Sequence, residues 1–289
     1  MTESLAGLGR ILVTGGNGFI GRRLVARMRS AGADVVVPAR AELDMFDHQA
    51  VEEAMAAVKP DLVYHLAATG QSGPAAKGPE TINRTIAMAE ILAETMPAGG
   101  RLVLAGSMAE YGKSGRVAEG DRCTPRTAYG LGKLGAGLRA AMIARERGFS
   151  ACNARLFGVY GPGDVASRVF PSVLAACRAG QPVALSDGLQ SRDFIHVDDA
   201  CAILVAIGQA GQCPETVNVG TGVAVQIRAV IERIADALGA SRDLLRFGTR
   251  QRSVHDEDWI EADIALMATL TAVPPQRLNA PIQLELLSE

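Results

Sequence analysis

Short apolar segments alternate with longer amphipathic segments through the part of the chain before residue 160. The apolar segments have the length of strands, and the amphipathic ones have the spacing of helices. Continuous apolar strands between helices indicate a parallel sheet that is covered on both faces, and right-handed crossovers favour a doubly wound α/β fold. The predicted strands are 10–13, 34–37, 61–66, 101–104 and 150–155, and the predicted helices are 19–30, 47–58, 80–95 and 127–147.

Beyond Tyr160 the alternation becomes less regular. Predicted helices at 166–179, 197–209, 227–238 and 263–270 are separated by short strand-like pieces, such as 183–185 and 216–219. We therefore expect a larger part at 1–160 and a smaller mixed C-terminal lobe at 161–289, with a cleft between them. The chain is free to cross from one part to the other.

Composition excludes several classes of protein. The hydrophobic share of 48% and the charged share of 21% are those of a globular chain, and a net charge of −2 gives no reason to expect a nucleic-acid partner. The longest apolar run, 201–207, is too short for a membrane span, and an early acidic residue, Glu3, disfavours a secretory signal. We expect a cytoplasmic protein without membrane association.

Cysteine and histidine spacing gives no sign of a metal site. The five cysteines form no Cys-x-x-Cys pair, and no two of the four histidines are four residues apart. These spacings favour neither zinc binding nor a disulfide framework.

A glycine-rich turn joins the first predicted strand to the first predicted helix. In Thr14–Gly21 the glycines follow the spacing Gly-x-x-Gly-x-x-Gly, which permits a tight turn, close approach of a pyrophosphate and close helix packing. A turn without a ligand is the alternative. The motif predicts that 1–160 is a dinucleotide-binding Rossmann domain. We expect the smaller lobe at 161–289 to bind the substrate. The predicted cofactor contacts in this turn are Gly15, Asn17, Gly18, Phe19, Ile20 and Gly21.

The end of the second predicted strand indicates which dinucleotide binds. An NAD-specific fold usually places an acid there, to bind the ribose diol, whereas this chain has Pro38 or Ala39 followed by Arg40. A small residue leaves room for a 2′-phosphate and the guanidinium can pair with it, so NADP(H) is favoured over NAD(H). The alternative is that Arg40 is a solvated loop charge. Asp44 is a candidate adenine contact.

Three side chains form a candidate catalytic set. Tyr129 and Lys133 are four residues apart on one helix face, and a nearby ammonium lowers the pKa of a tyrosine towards the range of a general acid or base. Ser107 follows the fourth predicted strand, at the sheet edge where such folds bind ligands, and its hydroxyl can hydrogen-bond a reacting carbonyl.

With these residues in this order, the chain resembles the extended short-chain dehydrogenase/reductase family, in its nucleotide-sugar epimerase/dehydratase/reductase branch. The resemblance covers nearly the whole chain and includes segments 61–68, 155–163, 191–199 and 218–220. It implies that Tyr129 carries the proton, Lys133 holds the nicotinamide ribose and Ser107 orients the substrate oxygen. The further cofactor contacts expected on this basis are Met45, Leu66, Ala67, Ala68 and Asn83.

The resemblance also implies a substrate site. Arg192 corresponds to an arginine that commonly meets the sugar-nucleotide pyrophosphate, and Arg250 lies about where relatives keep another phosphate-binding arginine. Each is alternatively an ordinary surface charge. In relatives, helices corresponding to 80–95 and 127–147 often pair across a two-fold axis, so we expect a homodimer.

Departures from the family pattern narrow the expected reaction. Dehydratases carry an acid directly after the catalytic hydroxyl residue, where this chain has Met108 and Ala109; Glu110 comes one position too late, and the loop has no cysteine for C3/C5 epimerisation. Gly158 replaces an asparagine that many relatives have, so an expected substrate contact is missing.

The remaining groups predict an NADP(H)-dependent reductase of a nucleoside-diphosphate 4-keto-(6-deoxy)hexose. An NAD-dependent nucleotide-sugar 4-epimerase and a non-catalytic dinucleotide sensor are the alternatives.

Overall fold

The computed structural model describes residues 5–68, 78–271 and 275. Its strands are β1 (Arg10–Thr14), β2 (Asp34–Val36), β3 (Leu62–His65), β4 (Arg101–Ser107), β5 (Gly115–Val117), β6 (Ser150–Leu156), β7 (Gly158–Tyr160), β8 (Val183–Ala184), β9 (Ser191–His196), β10 (Thr216–Val219), β11 (Ala224–Gln226), β12 (Leu245–Arg246) and β13 (Trp259–Ala262). Its α-helices are α1 (Phe19–Ser30), α2 (His48–Val58), α3 (Pro79–Thr95), α4 (Ala128–Arg147), α5 (Val169–Arg178), α6 (Val197–Gln209), α7 (Ile227–Ala237) and α8 (Met267–Leu270). Residues 1–4 and 276–289, at the outer ends of the two expected parts, lie outside the described residues.

The main sheet has six strands in the order β10–β6–β4–β3–β1–β2, and all of its neighbouring pairs are parallel. Strand residues alternate between its faces: Leu12, Val63 and Leu102 pack against α2, α3 and α4, whereas Ile11 and Val13 pack against α1 and α6. The doubly wound Rossmann fold is therefore confirmed. Its carboxyl edge, where parallel strands place ligands, contains the ends of β1, β3 and β4.

A smaller mixed sheet has the order β11–β9–β13–β5, and β7 also pairs with β9. It forms the expected mixed lobe together with α5, α7 and the two-stranded sheet of β8 and β12. The chain crosses between the two bodies, because β5 joins β13 in the smaller sheet, while β10 pairs with β6 in the main one.

Two predicted helices of the C-terminal part are shorter than expected. The helix at 166–179 begins only at Val169, and 263–270 is reduced to Met267–Leu270. Asp263 explains the second change: its amide bonds to the carbonyl of Val117, and its carboxylate accepts a hydrogen bond from the amide of Ala265, which makes a turn in place of the first helical residues.

Helix α4 carries four glycines, and close packing accounts for them. A Cβ on Gly130 would overlap the carbonyl oxygen of Ala109, and one on Gly137 would lie 2.6 Å from Nδ2 of Asn153. Gly132 and Gly135 face α3 in the same way; a Cβ on Gly135 would lie 2.6 Å from a side-chain carbon of α3. The glycines therefore let α4 approach both its neighbouring helix and the loop after β4.

Candidate active site

The glycine turn between β1 and α1 packs closely against the loop after β3. Gly15 has φ of +72°, and a Cβ on it would lie 2.5 Å from the amide nitrogen of Ala67. Gly18 caps α1, with no side-chain cap and no acid in the first helical turn. The first amides of α1 are thus free of side-chain acceptors, and this arrangement fits a dinucleotide pyrophosphate at the positive end of the helix.

The other residues expected in the turn surround this helix start. Asn17 is exposed, and Phe19 and Ile20 are half-buried. Leu66 continues the ladder beside β1, since its amide bonds to the carbonyl of Thr14. Ala67 and Ala68 follow β3 at the carboxyl edge of the sheet, where Ala67 is half-buried and Ala68 is exposed.

Arg40 lies on an exposed turn directly after β2. The carbonyl of Ala39 accepts hydrogen bonds from the amides of Glu42 and Leu43, and the carboxylate of Glu42 accepts one from the amide of Ala39 at 2.8 Å. Within the described part of the chain the Arg40 side chain has no hydrogen bond or ion pair. Val37 packs on Gly16, so this turn begins beside the glycine turn.

The remaining expected adenosine contacts differ in exposure. Asp44 is exposed, but its carboxylate already accepts a hydrogen bond from the amide of Phe46 at 3.0 Å. Met45 is buried in the core beneath α2. Asn83 is exposed on α3.

Ser107, Tyr129 and Lys133 come together at the carboxyl edge. Ser107 is the last residue of β4, and its side chain forms a hydrogen bond with that of Tyr129. Lys133 is buried, and its Nζ donates to the carbonyl of Ala105 at 2.8 Å and lies 5.9 Å from the centre of the Tyr129 ring. Thr127 starts α4 by accepting a hydrogen bond from the amide of Gly130, which fixes the first turn that carries Tyr129.

The expected lowering of the Tyr129 pKa is wrong for this arrangement. Burial raises the pKa of Tyr129, and the hydrogen bond from Ser107 opposes that rise. The ammonium of Lys133 points at a backbone carbonyl instead of the phenol. Burial also lowers the pKa of Lys133 to about 8, and the charge of Glu110 opposes this shift.

A buried histidine adjoins the same cluster. Nδ1 of His65, the last residue of β3, lies 2.7 Å from Oγ1 of Thr14 at the end of β1. Burial, aided by the charge of Lys133, lowers the pKa of His65 to about 3, so its imidazole is neutral at physiological pH. Only its position at a strand end marks His65 in the sequence, so its place in the site could not be predicted.

Glu110 lies beneath the site rather than in it. The residue is completely buried, and its carboxylate pairs with Arg155 on β6 at 2.8 Å. This orientation explains why it cannot take the place of the acid that follows the catalytic hydroxyl in dehydratases.

The two arginines expected to bind substrate lie in different environments. Arg192, in the middle of the smaller sheet, is buried, and its guanidinium lies 3.6 Å from Glu257 and bonds to the carbonyl of Ser191. Burial lowers the pKa of Arg192. Arg250 is exposed, and in the described residues its side chain makes no hydrogen bond or ion pair.

Gly158, where many relatives have asparagine, packs against an aromatic ring. A Cβ there would lie 2.5 Å from Cδ1 of Phe194, and the centre of that ring lies 4.8 Å from that of Phe170, with the two rings tilted by 51°. Glycine is thus required by the packing of β7 on β9.

Asp193 is a structural residue that the sequence did not mark. Its buried carboxylate accepts hydrogen bonds from the backbone amides of Thr221, Gly222 and Ala262 and from the hydroxyl of Thr221. It therefore ties the loop after β10 to β9 and β13.

A cavity of about 640 Å³ opens at the opposite edge of the sheet, near the amino ends of β3 and β4. It includes His48, Lys59, Glu94 and Arg147 and none of the expected site residues. The described ranges contain no cluster of three His, Cys, Asp or Glu side chains able to hold a metal ion. In those same ranges no helix has both the length and the apolarity of a membrane span.

A parallel doubly wound sheet, with a glycine turn and a polar cluster at its carboxyl edge, defines a dinucleotide-binding Rossmann protein. The sequence profile of the NAD dependent epimerase/dehydratase family matches residues 11–220. The chain belongs to this family. The expected resemblance to the nucleotide-sugar branch of the extended short-chain dehydrogenases/reductases, and with it the expectation of an NAD(P)-dependent enzyme, is confirmed.

Characterised relatives align over most of the chain. The dTDP-6-deoxy-L-talose 4-dehydrogenase (NAD(P)(+)) of Kitasatospora kifunensis is 28% identical, covering 96% of this chain and 94% of the relative. The low-salt glycan biosynthesis protein Agl12 of Haloferax volcanii is 26% identical, covering 86% and 88%. The structure of MoeE5 in complex with UDP-glucose and NAD is 27% identical, with a TM-score of 0.79 over 93% of this chain and 94% of that one.

Proposed function

We propose that the chain is an NADP(H)-dependent reductase that acts on a 4-keto-(6-deoxy)hexose linked to a nucleoside diphosphate. The observation that carries the proposal is the Ser107–Tyr129–Lys133 cluster, beside a turn whose acid, Glu110, is paired with Arg155 and not with the cluster. Ketone reduction needs a hydride, a proton donor and a group that holds the oxygen. Dehydration would also need an acid beside the sugar.

Each side chain has a definite task in that reaction. The ketone carbon would receive its hydride from NADPH, when this cofactor is bound. Tyr129 gives its proton to the carbonyl oxygen, and its raised pKa keeps the phenol protonated at neutral pH. Ser107 donates a hydrogen bond to the same oxygen and stabilises its developing charge. Lys133, next along the helix face, binds the nicotinamide ribose.

The cofactor preference rests on the turn after β2. Arg40 is exposed beside the glycine turn and has no protein partner in the described residues, so it is available to a 2′-phosphate. Neither Pro38 nor Ala39 offers a carboxylate to a ribose diol.

The substrate class is supported by the relatives and by two arginines. The Kitasatospora kifunensis relative is named for a dTDP-linked 6-deoxysugar, and the MoeE5 structure contains UDP-glucose. Arg192, whose guanidinium lies beside Glu257, is the candidate for the diphosphate, and Arg250 is the second.

The test is an assay of NADPH oxidation with a panel of nucleotide-linked 4-keto-6-deoxyhexoses, followed by absorbance of the reduced nicotinamide. We expect turnover with at least one of them, loss of at least about 100-fold in Tyr129→Phe, and unchanged NADPH binding in that variant. No oxidation with any substrate would contradict the proposal.

Two other outcomes would identify the alternatives. NAD that is released only on denaturing the purified protein, with no net cofactor turnover, would indicate a 4-epimerase. A function that is untouched by Tyr129→Phe would indicate a dinucleotide sensor.

A further inference from the structure

The turn that follows Ser107 encloses a buried charge. Met108–Glu110 is a single 3-10 turn, and Glu110 at its end has no solvent-exposed surface. Nothing in the proposed chemistry uses this carboxylate. Burying a carboxylate is costly unless it is paired, so the position of Glu110 beneath the reacting hydroxyls indicates that its contacts have a role.

The contacts of Glu110 reach both the loop and the sheet. Oε1 accepts a hydrogen bond from the amide of Ser107 at 2.8 Å, and Oε2 accepts from Nδ2 of Asn153 at 2.9 Å and from Nε of Arg155 at 2.8 Å. In return, the hydroxyl of Ser107 accepts a hydrogen bond from the amide of Ala109. This reciprocal capping box fixes the backbone of the serine to the underlying strand β6.

The surrounding packing encloses the network closely. A Cβ on Gly106 would lie 2.7 Å from Oε1 of Glu110, and Gly130 lets α4 press on Ala109. Arg155 also bonds to the carbonyl of Glu119 at 3.1 Å and lies over the ring of Tyr111. The turn Met108–Glu110 is therefore packed between Arg155 on one side and the start of α4 on the other.

We propose that Glu110 is a positioning residue of the active site: its buried carboxylate, bonded to the amide of Ser107 and to Arg155, sets the place of Ser107 and supplies a negative charge below the strand end to which the Lys133 ammonium bonds. Its effect on Ser107 is geometric, through the backbone amide, and its effect on Lys133 is electrostatic. The turnover part of the test rests on the proposed reductase function, whereas the titration part does not.

The titratable groups around Lys133 support the electrostatic role of Glu110. Glu110 comes from the turn after β4, neutral His65 from β3, and Tyr129 from the same helix face. Burial lowers the pKa of Lys133 to about 8, and Glu110 is the charge that opposes this shift. Tyr129 is also influenced by Arg168 and by Glu110, whose charge raises its pKa.

The sign of the pH effect follows from these charges. Lys133 must be protonated to bind ribose, and Tyr129 must be protonated to donate. Removing the negative charge of Glu110 lowers both pKa values, so the high-pH limb of the activity profile moves to lower pH.

The first experiment titrates Lys133 directly, in protein labelled with ¹³C at the lysine ε-carbons. The chain has four lysines, so Lys133→Arg assigns the signal. In the wild type we expect a midpoint near 8 for Lys133. In Glu110→Gln the midpoint shifts to lower pH. In the matched control Glu119→Gln, which changes a neighbouring acid bound to the amide of Asn218, it stays in place.

The second experiment measures turnover against pH. At a pH well below the Lys133 midpoint, we expect kcat of Glu110→Gln to fall roughly 10- to 100-fold through misplacement of Ser107, with little change in KM for NADPH. The high-pH limb of its activity profile moves to lower pH. Because Glu110→Gln leaves Arg155 buried without a partner and can unfold, the double variant Glu110→Gln/Arg155→Gln carries the same titration test.

A Lys133 midpoint that is the same in wild type and in both Glu110 variants would overturn the proposal, whatever the turnover. A shifted midpoint with unchanged kcat would refute the positioning of Ser107. If no keto-sugar is reduced at all, the titration still decides the electrostatic role, so failure of the proposed function is distinguishable.

Discussion

Replacing Gly21 by alanine tests how the glycine turn is built. A Cβ at this position would overlap the carbonyl oxygen of Gly15 and lie 2.7 Å from Cα of Gly16. Both are backbone atoms of the turn, so neither can move aside as the end of a side chain could. The first turn of α1 must therefore shift away from β1 in this variant.

The matched control is Gly18→Ala, three residues earlier. Gly18 has φ of −77°, which alanine adopts readily, and a Cβ there meets one atom, the carbonyl oxygen of Gly15, at 3.2 Å. For Gly21→Ala we expect overpacking to cost about 1–3 kcal/mol of unfolding free energy, against less than about 1 kcal/mol for Gly18→Ala. At roughly 2–4 °C per kcal/mol, the Tm of Gly21→Ala falls by about 2–12 °C.

The assay is thermal unfolding of both variants, with and without NADPH. Gly18 caps the helix end where the pyrophosphate is expected, so Gly18→Ala should fold like the wild type but bind NADPH at least about tenfold more weakly. An unchanged Tm for Gly21→Ala would refute the packing argument. Wild-type NADPH affinity in Gly18→Ala would refute the assignment of this turn to the phosphates.

Three further changes test other parts of the account. Arg40→Ser should weaken NADPH binding about 10- to 100-fold and leave NADH binding unchanged, as measured by calorimetry; equal losses would count against NADP(H) preference. The exposed Leu131, Leu138 and Met142 form an apolar stripe on α4, so in the expected homodimer Leu138→Glu should give a monomer in light scattering; a variant that stays dimeric would contradict the assignment of this stripe as the interface. Lys133→Met should stabilise the protein at pH 7 by up to about 3 kcal/mol, because the depressed pKa means that the unfolded chain binds an extra proton between about 8 and 10.5. Lys133 therefore contributes a rise in stability with pH across that window, so the difference in unfolding free energy between Lys133→Met and the wild type, measured with urea, should shrink as the pH rises. A difference that stays constant would contradict the assignment.

The main sheet could be predicted from the sequence because its strands are apolar on both faces. The continuous runs of β1, β3 and β4 leave little ambiguity, and the glycine turn fixes where the first helix begins. Strand β9 could not be recognised in this way. Its sequence has the buried charged residues Arg192 and Asp193, which pair with Glu257 and Thr221 in distant parts of the chain.

The sequence predicted which residues form the catalytic cluster, but not their contacts or their pKa shifts. The spacing of Tyr129 and Lys133 predicted that they share one helix face. It did not predict the direction of the Lys133 ammonium, which bonds to the carbonyl of Ala105. Burial then determines the sign of the pKa shift, and burial depends on tertiary packing. The pairing of Glu110 with Arg155 spans 45 residues, so no local pattern shows it.

The most direct test of the account is a crystal structure of the protein soaked with NADP⁺. We expect the pyrophosphate on the amides that begin α1, the 2′-phosphate beside Arg40, and the nicotinamide ring facing the hydroxyl of Tyr129 with its ribose on Lys133. A nicotinamide directed away from that phenol, or a dinucleotide bound elsewhere on the molecule, would contradict the assignment of this edge of the sheet as a hydride-transfer site.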